Sequence, residues 1–181
     1  IRKILNSSEV LLGVINDILD FSKIEAGELV FETIDFNLAS QLGTIKDMFD
    51  LQARQKGIDL RIAVAPDVPE GLRGDPLRIV QILINLVGNA IKFTERGAVT
   101  VNIGFGMGKD GRNQLTMVVR DTGIGMSLDE TSKLFQPFTQ MDASTTRRFG
   151  GSGLGLAISQ GLAMQMGGSI KAESEIGTGT T

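Results

Sequence analysis

The sequence of 181 residues contains no cysteine and no histidine. Without cysteine, disulfide bonds and thiolate metal sites are excluded, and a reducing compartment is compatible with the chain. Without histidine, the chain lacks the commonest general base and the commonest metal ligand, and it has no side chain that could be phosphorylated on an imidazole. Thiol chemistry and histidine chemistry are therefore both excluded within these residues.

The chain also lacks a basic cluster, a long apolar run and a signal peptide. Its formal net charge is −3, which argues against nucleic acid or an anionic membrane as the main partner. No apolar run reaches transmembrane length, so we expect no direct membrane contact by this segment. The hydrophobic content of 41% and charged content of 22% are typical of a globular domain with an appendage. Because the chain begins without Met and ends inside a predicted strand, we expect a piece of a longer protein.

The stretch from Asp75 to Phe93 predicts a mostly buried helix. Asp75 can cap its first N–H groups, and Pro76 suits the first helical position, where no N–H is needed. Buried amides and ammonium groups need hydrogen-bond or coordination partners. A polar row at i, i+4, i+8 and i+11 therefore predicts a face that looks into a ligand cavity, with a solvated stripe as the alternative. The row consists of Gln81, Asn85, Asn89 and Lys92.

The first segment predicts a bundle-type helix that Gly27 ends. Its apolar and small residues form a wide stripe with a seven-residue repeat, which needs a partner surface. We expect this stripe to pack against a helix outside the present sequence or against a second copy of itself. A helix folded back onto the main domain is the alternative. The stripe consists of Ile4, Leu5, Ser8, Leu11, Leu12, Ile15, Ile18, Leu19 and Ser22.

The remaining chain predicts alternating strands and helices. Asn37 can cap a helix that runs to Lys56 and is closed by Gly57. Further helices are predicted over residues 129–135 and 156–166. Strands are predicted over residues 29–36, 58–65, 97–106, 113–120 and 169–174, with the start of another at 177–180. This order predicts an α/β two-layer sandwich with a mixed sheet and excludes a doubly wound nucleotide fold.

Four motifs carry chemical information, and each alone is weak. They are Asn-x-x-x-Asn-x-x-Lys on the helix, Asp-x-Gly-x-Gly after a strand, Phe-x-x-Phe, and Gly-x-Gly-x-Gly opening a helix. In this order the chain resembles the catalytic ATP-binding domain of a hybrid-type sensor histidine kinase, in the GHKL group with DNA gyrase. The resemblance implies the Bergerat fold for residues 28–181. It also implies that residues 1–27 are the second helix of a dimerisation and phosphoacceptor bundle.

The resemblance assigns the adenine end of the site to residues after the fourth predicted strand. Asp121 would accept a hydrogen bond from the adenine amino group, which guanine cannot donate at that position. Gly123 and Gly125 would allow the backbone to approach the base and sugar. The resemblance also places Phe93, Met126 and Phe138 among the nucleotide-binding residues, although a packing role for Phe138 is the preferred reading.

The resemblance assigns the phosphate end to the polar helix row and to the last glycine motif. Asn89 would bind Mg²⁺, Asn85 would support the same ion, and Lys92 would neutralise phosphate charge. The resemblance expects a basic residue shortly after the second Phe, but this position is Gln140, so Arg147 or Arg148 in the loop before the glycine motif would contact the γ-phosphate instead. The motif itself would present N–H groups to the phosphates. Its residues are Gly151, Gly153, Leu154 and Gly155.

The function implied is Mg-ATP binding with transfer of the γ-phosphoryl group to a histidine. Gyrase-like relatives have a Glu four residues before the metal-binding Asn, and here that position is Asn85, which cannot accept a proton from water. Slow hydrolysis is therefore expected. The alternatives are a nucleotide-sensing interaction module without transfer and an ATPase that acts as a conformational clamp.

The resemblance also implies the partners. They are a phosphoacceptor histidine helix of the same or a partner subunit, the receiver domain of a response regulator, and a second copy in a homodimeric parent. A cytoplasmic location is implied for this domain, and an inner-membrane anchor in the parent is left open.

Overall fold

The computed structural model describes residues 2–108, 111–139 and 152–181. These residues divide into two compact units. The larger comprises Glu32–Thr131 and Ala172–Thr181, and the smaller comprises Ile1–Phe31 and Ser132–Lys171. The expected domain boundary at residue 27 remains a prediction.

The larger unit begins with a short strand and two helices that pack on a sheet. β1 is Ile34–Asn37, α2 is Leu38–Lys56 and α3 is Pro76–Phe93, while α1 (Arg2–Ala26) belongs to the smaller unit. The strands β2 (Ile58–Val64), β4 (Gly97–Met107) and β5 (Asn113–Asp121) form a sheet in the order β2-β4-β5. β2 pairs in parallel with β4, and β4 pairs antiparallel with β5. The predicted mixed sheet is confirmed.

The core of the larger unit lies where α2 and α3 pack on this sheet and on each other. Apolar residues of both helices face the sheet at helical spacing, which explains why burial alternates with exposure along each helix. This arrangement confirms the predicted two-layer sandwich. The buried core residues are Leu38, Leu42, Ile45, Phe49, Ala53, Ile58, Ile79, Leu83, Val87, Ala90, Ile91, Val99, Val101 and Ile103.

The predicted caps of the two long helices are confirmed. The Asn37 side chain accepts a hydrogen bond from the Ser40 N–H, and Gly57 ends α2 in the left-handed conformation at φ 68°. The Asp75 carboxylate accepts from the Arg78 N–H at 3.0 Å, with Pro76 in the first turn of α3. Its second oxygen accepts from the Glu32 N–H at 3.1 Å. Asp75 is therefore a cap and also an anchor for the chain entering β1.

Two predicted strands are shorter in the structure. The strand predicted over residues 29–36 is Ile34–Asn37, because its partner β3 (Gly71–Gly74) is only four residues long and gives way to α3. The strand predicted over 169–174 was wrong for most of its length, since β6 is Ser174–Glu175 and pairs with β7, Gly179–Thr180. An alternating pattern identifies an extended segment but does not supply its hydrogen-bonding partner.

The smaller unit contains α1 (Arg2–Ala26) and a helix that we name α5 (Gly155–Gln165). α4, Leu128–Lys133, spans the boundary between the two units along the chain. The helices α1 and α5 pack against each other through Ile24, whose side chain lies close to Gly161. Gly27 ends α1 at φ 68°, as predicted. No helix among the described residues is long and apolar enough to cross a membrane.

Two opposite faces of α1 have different surroundings. Asp17, Phe21 and Ile24 share the face that contacts residues of the 152–165 region and Phe138. Five side chains of the predicted stripe lie on the other face and are between 43% and 60% exposed. They are Leu11, Leu12, Ile15, Ile18 and Leu19. The contacts of α1 are therefore made by residues outside the predicted stripe, and what covers the stripe remains a prediction.

Candidate functional site

The polar row on α3 divides into two parts. Gln81 accepts a hydrogen bond from the Arg78 guanidinium at 2.8 Å, so its amide oxygen is engaged one turn away on the same helix. Further along, the Asn89 amide nitrogen donates to the Asn85 amide oxygen at 3.4 Å, and both residues are half-buried. Asn85, Asn89 and Lys92 therefore remain the candidates for ligand binding.

Lys92 lies at the end of this row. Burial lowers the pKa of Lys92, because desolvation disfavours the ammonium form. Its ammonium lies 4.9 Å from the centre of the Phe93 ring, a distance at which a cation and an aromatic face attract each other. An anion bound beside Lys92 would favour the charged form and oppose the lowering of its pKa.

Asp121 ends β5 with a buried carboxylate. Burial raises the pKa of Asp121, and N–H groups of Gly123 and Thr180 oppose this by hydrogen bonding to the ionised form. The Gly123 bond is 2.7 Å long and reaches one carboxylate oxygen. A carboxylate accepts several hydrogen bonds, so Asp121 has the capacity to accept one more from a ligand.

The glycines after Asp121 are required by the packing of the protein itself. A Cβ at Gly123 would lie 2.5 Å from the Phe93 carbonyl oxygen and 2.8 Å from the Asp121 carboxylate. Gly125 has φ 65°, and a Cβ there would overlap the Glu175 carbonyl. The predicted close approach of this backbone to base and sugar remains a prediction.

Backbone N–H groups of the loop 121–126 form hydrogen bonds to two other segments of the larger unit. The Ile124 N–H donates to the Phe93 carbonyl at 3.3 Å, which joins the loop to the end of α3. The Met126 N–H donates to the Ser174 hydroxyl at 2.9 Å, and that hydroxyl donates to the Gly179 carbonyl at 3.0 Å. The structure thus joins Phe93, at the end of α3, to the loop that carries Asp121, Gly123, Gly125 and Met126.

The glycine motif belongs to the smaller unit. Gly155 begins α5, Leu154 is buried, and the Gly153 carbonyl accepts a hydrogen bond from the Phe138 N–H at 3.1 Å. Phe138 is 68% exposed and packs edge-on against Phe21, with ring centres 6.3 Å apart, which supports the packing role preferred from sequence. Two predicted residues, Arg148 and Gly151, lie outside the described residues.

Ser152 makes a contact that the sequence did not predict. Its hydroxyl donates to the Asp17 carboxylate at 2.7 Å and accepts from the Leu154 N–H at 3.3 Å. The two residues are 135 positions apart in the chain, and no local pattern relates them. The contact joins α1 to the residues that precede α5.

A capping box at the start of α4 was also missed, although its signal was present. Ser127 and Glu130 have the Ser-x-x-Glu spacing, and the Glu130 carboxylate accepts from the Ser127 N–H at 2.7 Å. The Ser127 hydroxyl, then the Ser127 N–H, lower the pKa of Glu130 by bonding to its ionised form. This box fixes the first turn of the helix that follows the loop 121–126.

The donor set on α3 suits a magnesium ion better than a transition metal. Within the described residues no group of three or more His, Cys, Asp or Glu side chains is placed to hold a metal ion. Asn85 and Asn89 offer neutral amide oxygens, and Mg²⁺ is commonly held by few protein oxygens together with water and phosphate. In the hydrogen bond between them Asn89 uses its nitrogen, so its amide oxygen is directed elsewhere. These residues fit the predicted ion.

The comparison with protein families identifies a match over more than half of the chain. The model of the family described as "Histidine kinase-, DNA gyrase B-, and HSP90-like ATPase" matches residues 74–181. The matched segment contains α3, the loop 121–126 and the glycine motif.

Individual relatives agree with this match. The chain is 45% identical over 181 residues to the signal transduction histidine-protein kinase BarA of Escherichia coli (strain K12). The aligned region covers 100% of this chain and 20% of BarA. The chain therefore spans about a fifth of that relative. Among solved structures, full-length ShkA in complex with AMPPNP superposes with a TM-score of 0.81 at 32% identity, covering 97% of this chain and 35% of ShkA. The histidine kinase ThkA in complex with the response regulator protein TrrA gives a TM-score of 0.72 at 26% identity, covering 99% of this chain and 48% of ThkA.

Proposed function

The chain belongs to the family of histidine kinase-, DNA gyrase B- and HSP90-like ATPases, and on this premise we propose that it binds Mg-ATP and presents the γ-phosphoryl group to a histidine on a separate helix. The proposed context is two-component signal transduction, as a catalytic segment of a larger histidine kinase. Its relatives BarA and ThkA are histidine kinases by name, and ShkA was crystallised with an ATP analogue, AMPPNP.

The buried Asp121 carboxylate is the observation that carries the proposal. A buried acid with a raised pKa is costly to keep ionised unless a donor compensates it, and the adenine amino group is such a donor. Guanine presents a carbonyl at that position, which a carboxylate repels. Asp121 is therefore proposed to select adenine, with Gly123 and Gly125 beside it.

The polar row of α3 is proposed to bind the phosphate end of the nucleotide. Asn89 and Asn85 would hold Mg²⁺, which when bound supplies positive charge to the phosphate oxygens. Lys92 would add a second positive charge beside them. Gly153, Leu154 and Gly155 precede or begin an eleven-residue helix, whose N-terminus favours anions. The predicted contributions of Arg148 and Gly151 remain predictions.

The amide at position 85 supports transfer over hydrolysis. Hydrolysis needs a base that takes a proton from water, and an amide cannot serve as one. The Asn85 amide oxygen accepts a hydrogen bond from the Asn89 amide nitrogen at 3.4 Å, but an amide oxygen is too weakly basic to take a proton from water. The γ-phosphoryl group is thus proposed to survive until an imidazole reaches it.

The proposed macromolecular partners follow from α1 and from the relatives. The exposed stripe of α1 is proposed to pack in a helical bundle with the phosphoacceptor helix and with a second copy. ThkA was crystallised with its response regulator protein TrrA, and we propose a receiver domain as the onward acceptor for this chain as well. A cytoplasmic location is proposed with the same context.

The metal role is tested with Asn89→Ala. Loss of the amide oxygen is expected to weaken Mg-ATP binding about tenfold or more while leaving Mg-free binding of adenosine within about twofold. Calorimetric titration of the wild type and the variant, with Mg²⁺ and with EDTA, measures both. An unchanged Mg-ATP affinity would remove Asn89 from the proposed metal site.

The adenine role is tested with Asp121→Asn. The amide keeps the shape of the carboxylate but can donate to a guanine carbonyl, so the ratio of ATP affinity to GTP affinity should fall by about tenfold or more. Competition titrations against a fluorescent ATP analogue measure the ratio. An unaltered ratio would show that Asp121 does not read the base.

A further inference from the structure

The end of α3 is held by a lysine from the neighbouring helix. Lys56 is the last residue of α2 and is half-buried. Its ammonium donates to the carbonyl oxygens of Ile91, Lys92 and Thr94 at 2.7, 3.0 and 3.2 Å. An ammonium carries three N–H donors, so three carbonyls match its full capacity.

These carbonyls are the ones that the helix itself leaves without N–H partners. The Ala90 carbonyl accepts from the Thr94 N–H, which is the last helical bond of α3. Beyond it, the helix provides no donor for the carbonyls of the last turn, and the negative end of the helix dipole lies there. Lys56 therefore supplies both hydrogen bonds and positive charge where α3 needs them.

One carbonyl in this turn is not bound by Lys56. The Phe93 carbonyl accepts from the Ile124 N–H at 3.3 Å, within the loop that follows Asp121. The same carbonyl oxygen lies against Gly123, where a Cβ would come within 2.5 Å of it. The Gly123 N–H in turn bonds to the Asp121 carboxylate at 2.7 Å. A continuous path of contacts thus runs from Lys56 through the last turn of α3 to Asp121.

We infer that Lys56 is a positioning residue for nucleotide binding, which fixes the last turn of α3 so that Phe93 holds the loop carrying Asp121. By orienting this turn, Lys56 sets the distance between the Asn89–Lys92 segment and the Asp121 carboxylate. It acts through the backbone and touches neither base nor phosphate. The inference rests on the proposed function, since it concerns the same binding site.

The test compares Lys56→Met with Lys46→Met. Methionine keeps the unbranched shape of lysine and removes the ammonium. Lys46 lies on the same helix and is exposed, so its variant removes an equal charge without disturbing α3. Each variant is titrated with Mg-ATP well below its unfolding temperature, alone and combined with Asp121→Asn, and amide hydrogen exchange is followed at Ile124.

The positioning role predicts three results. Lys56→Met weakens Mg-ATP binding about tenfold, as expected for loss of charged hydrogen bonds that orient the site. In the Asp121→Asn background the same substitution weakens binding less than about threefold, because the two residues act through one path. Exchange at the Ile124 amide accelerates in Lys56→Met, whereas Lys46→Met leaves affinity and exchange within about twofold of the wild type.

Other results would overturn the inference. A lower unfolding temperature with unchanged Mg-ATP affinity makes Lys56 a structural cap only. If Lys56→Met weakens Mg-ATP binding equally in the wild type and in Asp121→Asn, the two residues act independently and the inferred path is wrong. If the wild type itself fails to bind Mg-ATP, the proposed function is wrong. The effect of Lys56 on the loop is then tested by hydrogen exchange at the Ile124 amide alone, and an exchange rate that Lys56→Met leaves unchanged contradicts the inference.

Discussion

Asp121 shows how much of a site residue's character comes from its surroundings. The sequence identifies it by position, as the acid in Asp-x-Gly-x-Gly after a strand. Its burial and its hydrogen bond from the Thr180 backbone come from a segment about sixty residues later in the chain, so no local pattern could predict them. Burial disfavours the ionised form of Asp121, whereas the N–H donors of Gly123 and Thr180 favour the ionised form.

The raised pKa of Asp121 predicts a pH dependence of nucleotide binding. Adenine recognition requires the ionised carboxylate, and burial makes the carboxylate protonate at a higher pH than an ordinary aspartate does. Affinity for Mg-ATP should therefore fall as the pH is lowered through this raised pKa. For folding the sign is opposite, because the folded state holds this proton more tightly than the unfolded state and the group destabilises the fold above its pKa.

Titrations at a series of pH values, from neutral pH down to the lowest pH at which the protein stays folded, are expected to show this fall in the wild type. Asp121→Asn is the control, since it shares the titration of ATP itself and lacks that of the carboxyl group. Parallel profiles for the two proteins would contradict the prediction.

Thr94 is a second residue whose environment the sequence did not indicate. It follows α3, is fully buried, and its hydroxyl has no hydrogen-bond partner within the described residues. A buried hydroxyl without a partner is destabilising relative to a methyl group of the same size. Thr94→Val is therefore expected to leave the free energy of unfolding unchanged or to raise it by up to about 1 kcal/mol.

Urea unfolding of the wild type, Thr94→Val and Thr94→Ala measures this effect. The alanine variant should lose about 1 kcal/mol because it also removes a packed methyl group. A loss of more than about 1 kcal/mol in Thr94→Val would reveal a hydrogen bond to that hydroxyl.

At the scale of elements, α3 is the part of the fold that the sequence predicted best. Its cap, its first-turn proline and its end at Phe93 agree with the pattern, because each depends on neighbours within a few residues. The support at its C-terminus was not predicted, since Lys56 is 35 to 38 positions away. From the sequence, a lysine in the last turn of α2 is expected to interact with the negative end of that helix's own dipole.

The buried face of α3 predicts a large loss of stability on truncation. Leu83 is 0% exposed in the core between α2, α3 and the sheet. Leu83→Ala should lower the free energy of unfolding by about 3 kcal/mol through lost burial and a residual cavity. Leu77→Ala, at a position 68% exposed on the same helix, should cost less than about 0.5 kcal/mol. Denaturant unfolding measures both, and equal losses would contradict the assigned face.

Strand extents were predicted less well, for a physical reason. The alternating pattern of residues 169–174 is real, yet its backbone hydrogen bonds to the last residues of the chain begin only at Glu173, and the ladder pairs Ser174–Glu175 with Gly179–Thr180. A strand is defined by its partner, and partner register is a long-range property. The capping box of Ser127 and Glu130 was readable from spacing alone and was overlooked.

At the scale of the whole molecule, the two units carry different parts of the predicted chemistry. The larger unit holds Asn85, Asn89, Lys92 and Asp121. The smaller unit holds the described part of the glycine motif and α1. We expect a histidine-bearing helix to pack against the exposed stripe of α1.

Phosphotransfer in trans tests whether the chain holds Mg-ATP for an external histidine. The chain is mixed with ATP labelled at the γ-phosphate, Mg²⁺ and a separate polypeptide that carries a phosphoacceptor histidine helix. Labelled phosphate is followed on the helix and in solution, with Asn89→Ala as the matched control. We expect acid-labile label on the helix, little free phosphate from the chain alone, and loss of label in the control. Rapid release of free phosphate by the chain alone, with no label on the helix, would show instead that the chain hydrolyses ATP and does not transfer the phosphoryl group.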